Sequence, residues 1–138
     1  MDIKNEFNSI MKEQEQIALA TSVNNIPNVR ITNFFYCEET KTLFLGSRKD
    51  SQKILEFSSN SNIAFTTIPK TESKYVRGKG QIRKSNKTVY DVKEAFIAKN
   101  PKMEFIIDNF GDALDLFEIP LSEVTVTLEN QEIHIFTL

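Results

Sequence analysis

With 138 residues the chain is long enough for one domain with a core of its own, and residues 1–138 are expected to form that single domain. Hydrophobic residues at 40% and charged residues at 26% fit a globular protein, and a net charge of -2 excludes a general basic field for nucleic acid. No run approaches the ~18–20 apolar residues of a bilayer-spanning helix, and the lone Cys37 excludes an intrachain disulfide. Met1 to Glu6 carries no leader pattern, so a cytoplasmic protein is expected.

Ile3, Phe7, Ile10 and Met11 recur at helical spacing and predict an opening amphipathic helix. Ile17 to Val23 is a compact apolar run closed by the turn pair Asn24-Asn25 and Pro27. The β-branched and aromatic run Val29 to Tyr36 predicts a strand, and Thr42 to Leu45 the next one, after a short polar loop. These three runs are expected to form an antiparallel meander.

Asp50 or Ser51 can cap a helix carrying Ile54, Leu55 and Phe57. Ile63 to Ile68 is a strand stopped by Pro69. Tyr75 to Ile82 is another, whose Gly78 and Gly80 predict a bend or bulge. Ser85 or Asn86 is expected to cap a helix bearing Val89, Val92, Phe96 and Ile97. Met103 to Phe110 is a second short helix closed by Gly111. Leu114 to Ile119, Val124 to Leu128 and Ile133 to Phe136 are the terminal strands. Many short strands with a few interspersed helices make an α+β protein built around an antiparallel barrel or strongly curved sheet.

The chemistry-bearing stretch is Leu43 to Phe57. An apolar strand ends at Gly46-Ser47, hydroxyls and cations follow, and a helix begins. A helix start offers free N–H groups and the positive end of the dipole. Hydroxyls and Lys or Arg placed there make a site for a phosphate monoester.

Three pieces carry a resemblance over nearly the whole length. They are Ala18-Leu19-Ala20-Thr21 with Pro27-Asn28-Val29-Arg30, then Leu43-Phe44-Leu45-Gly46-Ser47 leading to Ser51-Gln52-Lys53-Ile54, and finally Val76-Arg77-Gly78-Lys79-Gly80. In order and spacing they resemble the pyridoxamine 5'-phosphate oxidase-like, FMN-binding split-barrel proteins. The resemblance implies an antiparallel split β-barrel with peripheral helices, and a homodimer with FMN at the subunit interface. It implies an oxidoreductase passing electrons between the flavin and a small-molecule substrate or NAD(P)H.

By the same resemblance, Arg30 reaches the FMN phosphate, and Ile31, Thr32 and Asn33 lie along the ring and ribityl chain. Gly46 and Ser47 are strand-end residues beside the flavin. Ser51, Gln52 and Lys53 match the family's Ser-Arg-Lys phosphate motif, with Gln52 in place of its arginine. That departure removes a cation or shifts its job to Arg48. Ser47-Arg48-Lys49 is a literal Ser-Arg-Lys tripeptide, so two registers are open. The Ser51 register is preferred because it puts the motif at a helix start. The chain shows no basic-aromatic C-terminal motif for a substrate phosphate, so vitamin B6 oxidation is not expected.

The remaining candidates have plainer readings. With one His and one Cys there is no metal-ligand cluster, and His134 alternates with isoleucines as an outward strand residue. Phe105, Phe110 and Phe117 are expected in the core, with a wall over the flavin as the alternative. No residue stands out as a general acid or base. The rival reading is a non-catalytic module that carries or senses flavin, or binds F420 or haem.

Overall fold

A computed structural model describes residues 2–138. Helix α1 (Ile3–Glu13) leads into strands β1 (Gln16–Val23), β2 (Ile26–Asn33), β3 (Phe35–Cys37) and β4 (Thr42–Arg48). Helix α2 (Gln52–Ser59) precedes β5 (Asn62–Thr67), β6 (Tyr75–Gln81) and β7 (Arg83–Lys84). Helices α3 (Lys93–Lys99) and α4 (Met103–Phe110), with one 3-10 turn at Gly111–Ala113, lead to β8 (Leu114–Pro120), β9 (Glu123–Thr127) and β10 (Ile133–Thr137). One sheet has the order β10-β9-β6-β5-β1-β2 and the other β3-β4-β8-β7, every described pairing antiparallel. This is the α+β antiparallel architecture expected from the run of elements, and its two sheets match the split barrel that the resemblance implies.

The predicted meander is divided between the sheets. β1 and β2 pair in the six-stranded sheet, whereas β3 and β4 pair in the four-stranded one. The run Val29 to Tyr36 is therefore two strands, broken at Phe34. Ile82 between β6 and β7, and Leu121 between β8 and β9, mark equivalent crossings. All three side chains are buried in the main core. Each turns the chain from one sheet to the other by sinking an apolar side chain into the space between them.

That space holds Phe7, Ile17, Leu19, Leu43, Leu45, Val76, Ile119 and Val126. A second cluster, including Phe35, Phe44, Val89, Phe96, Ile107 and Leu116, fills the other side of the four-stranded sheet beneath α3 and α4. β4 is thus covered on both faces, which accounts for its unbroken apolar run Leu43-Phe44-Leu45.

Two local expectations are corrected. The helix expected from Ser85 or Asn86 begins only at Lys93. Thr88 and Asp91 close a turn instead, the Thr88 N–H donating to Asp91 Oδ2 at 2.8 Å. Local side-chain bonds of this kind compete with helix, while Val89 and Phe96 still reach one cluster. Gly78 and Gly80 mark no bulge, because the β5–β6 register is continuous from Asn62↔Gln81 to Thr66↔Arg77. They make room: a Cβ on Gly78 would lie 2.6 Å from Cε1 of Phe65, and one on Gly80 2.9 Å from Cγ2 of Ile119. Gly78→Ala is expected to destabilise the fold by about 1–3 kcal/mol through overpacking. A urea midpoint equal to that of the parent would refute this.

Lys99 closes α3 against α1. Its Nζ donates to the Met11 carbonyl at 2.7 Å and lies 3.8 Å over the Phe34 ring. The carbonyl belongs to the last turn of α1, where a cation complements the dipole. Burial nevertheless pushes the ammonium down to about 7. A base whose folded pKa lies below its unfolded value opposes folding most at low pH, and that penalty fades as pH rises. Stability should therefore climb from about pH 7 toward about pH 10. Lys99→Met should flatten that slope in denaturant titrations, and an unchanged slope would assign it elsewhere.

Candidate functional site

The site forms where α2 packs on β1 and β2. Period-two alternation turns Ile17, Leu19 and Thr21 of β1 inward, and the register Leu19↔Arg30 and Thr21↔Asn28 turns Asn28, Arg30 and Thr32 of β2 the same way. Glu56 of α2, 8% exposed, meets them. Arg30 Nη2 donates to Glu56 Oε1 at 2.7 Å and Nη1 to Thr21 Oγ1 at 3.3 Å. Thr21 donates to Glu56 Oε1 at 2.5 Å and Asn28 Nδ2 to Oε2 at 3.4 Å. The bond from Thr21, then the one from Arg30, holds the Glu56 carboxyl below the usual carboxylate range despite its burial.

Ser51 is the N-cap of α2, its hydroxyl accepting from the Lys53 N–H at 3.2 Å. Gln52, the first helical residue, is exposed. Lys53 stands three residues before Glu56, on the same side of the helix. Burial, and secondarily the charge of Arg30, pushes its ammonium below the usual lysine range. Among the described residues it has no ion-pair partner. Arg30, Ser51 and Lys53 are thus gathered at one helix start.

The other proposed residues divide by strand face. Ile31 lies on the outer face of the six-stranded sheet and is strongly exposed, whereas Thr32 is buried. Asn33 is half-buried and accepts from Gln16 Nε2 at 3.3 Å. On β4, Ser47 shares the face of Leu43 and Leu45, against which Phe57 of α2 packs in the main core. Gly46 faces the opposite way, where a Cβ would lie 3.7 Å from Cγ1 of Val89. Arg48, on that face too, pairs with Asp50 at 3.3 Å with both side chains in solvent. Ser51-Gln52-Lys53 therefore occupies the helix start, and Ser47-Arg48 ends the strand.

Thr21, Asn28 and Glu56 join the site through the fold, with no sequence motif that marks a role for them. The three-residue spacing of Lys53 and Glu56 is the one signal that places them on one face. Phe117 is core, edge-on to Phe57, while Phe105 and Phe110 are exposed and paired edge-on at 6.2 Å. His134 lies at the sheet edge beside Glu132. No group of metal-ligating side chains occurs among the described residues, and none of their helices is long and apolar enough to cross a membrane.

Two features of this structure fit a phosphorylated ligand. The Ser47 hydroxyl is buried at 2% exposure with no partner among the described protein groups, and Lys53 is a half-buried cation without a counter-ion.

Many solved structures share the fold. General Stress Protein 26 from Bacillus anthracis str. Sterne is 18% identical with a TM-score of 0.77, covering 100% of both chains. A heme binding protein from Mycobacterium smegmatis is 12% identical with a TM-score of 0.78, over 99% of this chain and 58% of that one. A FAD-binding protein from Mesorhizobium loti is 15% identical with a TM-score of 0.67, over 88% of this chain and 91% of that one. No curated protein matches in sequence. The sequence profile of the pyridoxamine 5'-phosphate oxidase-like family matches residues 10–131, and the chain belongs to that family.

Proposed function

We propose that the protein binds FMN and works as a flavin-dependent oxidoreductase on a small-molecule substrate or NAD(P)H. The observation that carries this reading is Lys53, a desolvated cation without a counter-ion at the capped start of α2 and beside Arg30. Lys53, Arg30, Ser51 and the first N–H groups of α2 would hold the phosphate, each charge-assisted bond contributing about 1.5–3 kcal/mol. Ser47, whose hydroxyl is buried without a partner among the described protein groups, is a contact that the resemblance implies. Gly46, Gln52 and Ile31 to Asn33 are the further contacts implied by the resemblance. Bound FMN would supply the hydride chemistry itself, with the protein binding and orienting it.

A homodimer belongs to this reading. Ile31, Ala18, Thr66, Arg77, Thr125 and Ile135 form one row across all six strands on the outer sheet face. Its two rims carry the exposed Ile31 and Ile135, with Ala18, Thr66, Arg77 and Thr125 between them, a face offered to a second copy. We place the protein in the cytoplasm, where Cys37 stays a thiol.

A second reading, a module that carries a cofactor without turnover, is favoured by the uncharged, exposed Gln52. The spectrum of the purified protein tests both, with the released compound identified by mass after heat denaturation. Released FMN followed by NAD(P)H-dependent reduction supports the enzyme. Released FMN without turnover with any donor supports the module. A colourless protein that does not take up added FMN refutes the flavin reading.

A further inference from the structure

The guanidinium that a flavin phosphate would have to reach is already engaged. Both Nη atoms of Arg30 are bonded, one to Glu56 and one to Thr21, and Glu56 also collects Asn28. Five N–H donors leave Arg30 able to take a further acceptor, but only from the rest of its fork. Lys53 and Glu56 share a side of α2, yet the carboxylate is turned to the sheet and the ammonium is left alone.

We propose that Glu56 is the positioning and charge-setting residue of the phosphate site: it fixes Arg30 by its far end and cancels its charge, leaving Lys53 as the cation that meets a phosphate monoester. The inference deepens the flavin-phosphate reading and rests on it. Glu56 is nearly enclosed, so its charge is felt by neighbours more strongly than it would be in water. A carboxylate in this place lowers the site's attraction for a dianion while holding Arg30 in one orientation. The site is then selective for a ligand that also supplies contacts beyond the phosphate, as a flavin ring does, over free inorganic phosphate.

Glu56→Gln separates this role from simple anchoring, because glutamine keeps the oxygen that accepts from Thr21 and Arg30 and removes the charge, at the loss of the weaker 3.4 Å bond from Asn28. Arg30 is the charge that acts on Lys53, and Glu56, three residues on along α2, is the carboxylate paired with Arg30. With Arg30 uncompensated, the Lys53 side chain, followed by NMR in the flavin-free protein, should titrate at a lower pH than in the parent. FMN affinity should rise about tenfold with a steeper salt dependence, and riboflavin affinity should stay unchanged. Unchanged Lys53 titration in folded Glu56→Gln, or equal weakening of FMN and riboflavin, would overturn the proposal.

Should Glu56→Gln fail to fold, Glu56→Asp withdraws the same charge by one methylene. It should shift Lys53 in the same direction to a smaller degree, and no shift would overturn the proposal. FMN failing to bind every form while Lys53 still responds would remove the flavin reading and uphold the charge role of Glu56.

Discussion

Lys53→Ala is expected to weaken FMN binding about tenfold to a hundredfold, the loss of one charge-assisted contact of about 1.5–3 kcal/mol. Riboflavin affinity should not change, because the ring and ribityl chain lack the phosphate. Lys53 is the residue for this test because its charge has no ion-pair partner among the described residues and its side chain is half-buried. Folding is left largely intact, since truncation removes a desolvated cation and strands no carboxylate. Fluorescence titration with the two flavins gives the ratio directly. Equal losses for both would show that Lys53 does not read the phosphate.

Arg30→Ala is expected to act first on stability. The Arg30 side chain is 18% exposed and that of Glu56 9%, so truncation leaves an enclosed carboxylate without its counter-ion. Breaking such a pair costs about 3 kcal/mol. The pH dependence carries the signature. In the parent, hydrogen bonds hold the Glu56 carboxyl below its usual range. Its stabilising contribution is therefore present above the unfolded pKa of about 4.3 and is lost as pH falls through the folded value. Without Arg30 the carboxylate loses its main charge partner and burial pulls its pKa upward. The stability deficit of Arg30→Ala should then shrink between pH 7 and pH 5 as the stranded group takes up a proton. Urea midpoints at the two values decide it, and a constant deficit would place the cause outside the pair.

These two cations look interchangeable in the sequence: each follows or precedes a short polar cluster, and each fits a phosphate. The structure separates them through Glu56, which no local pattern links to Arg30 because the two are 26 positions apart.

Short-range chemistry made much of the rest readable. The capped start of α2 at Ser51, the hairpin turn at Asn24-Asn25 and the amphipathic α1 depend on residues within a few positions of one another. The family's element order follows from those pieces laid end to end.

Most helices and strands, and the hydroxyls and the lysine flanking the start of α2, were legible in the chain because propensity, capping and alternation are local. Long-range packing fixed the rest: the Val29 to Tyr36 run breaks at Phe34 to enter a second sheet, Ile31 faces outward, and Arg30 is charge-compensated while Lys53 has no ion-pair partner among the described residues. Those outcomes depend on strand register and on which sheet buries a given face. A change of one residue in register would turn Arg30 to the outer face and Ile31 toward Glu56, and nothing local to either residue records which of the two is realised.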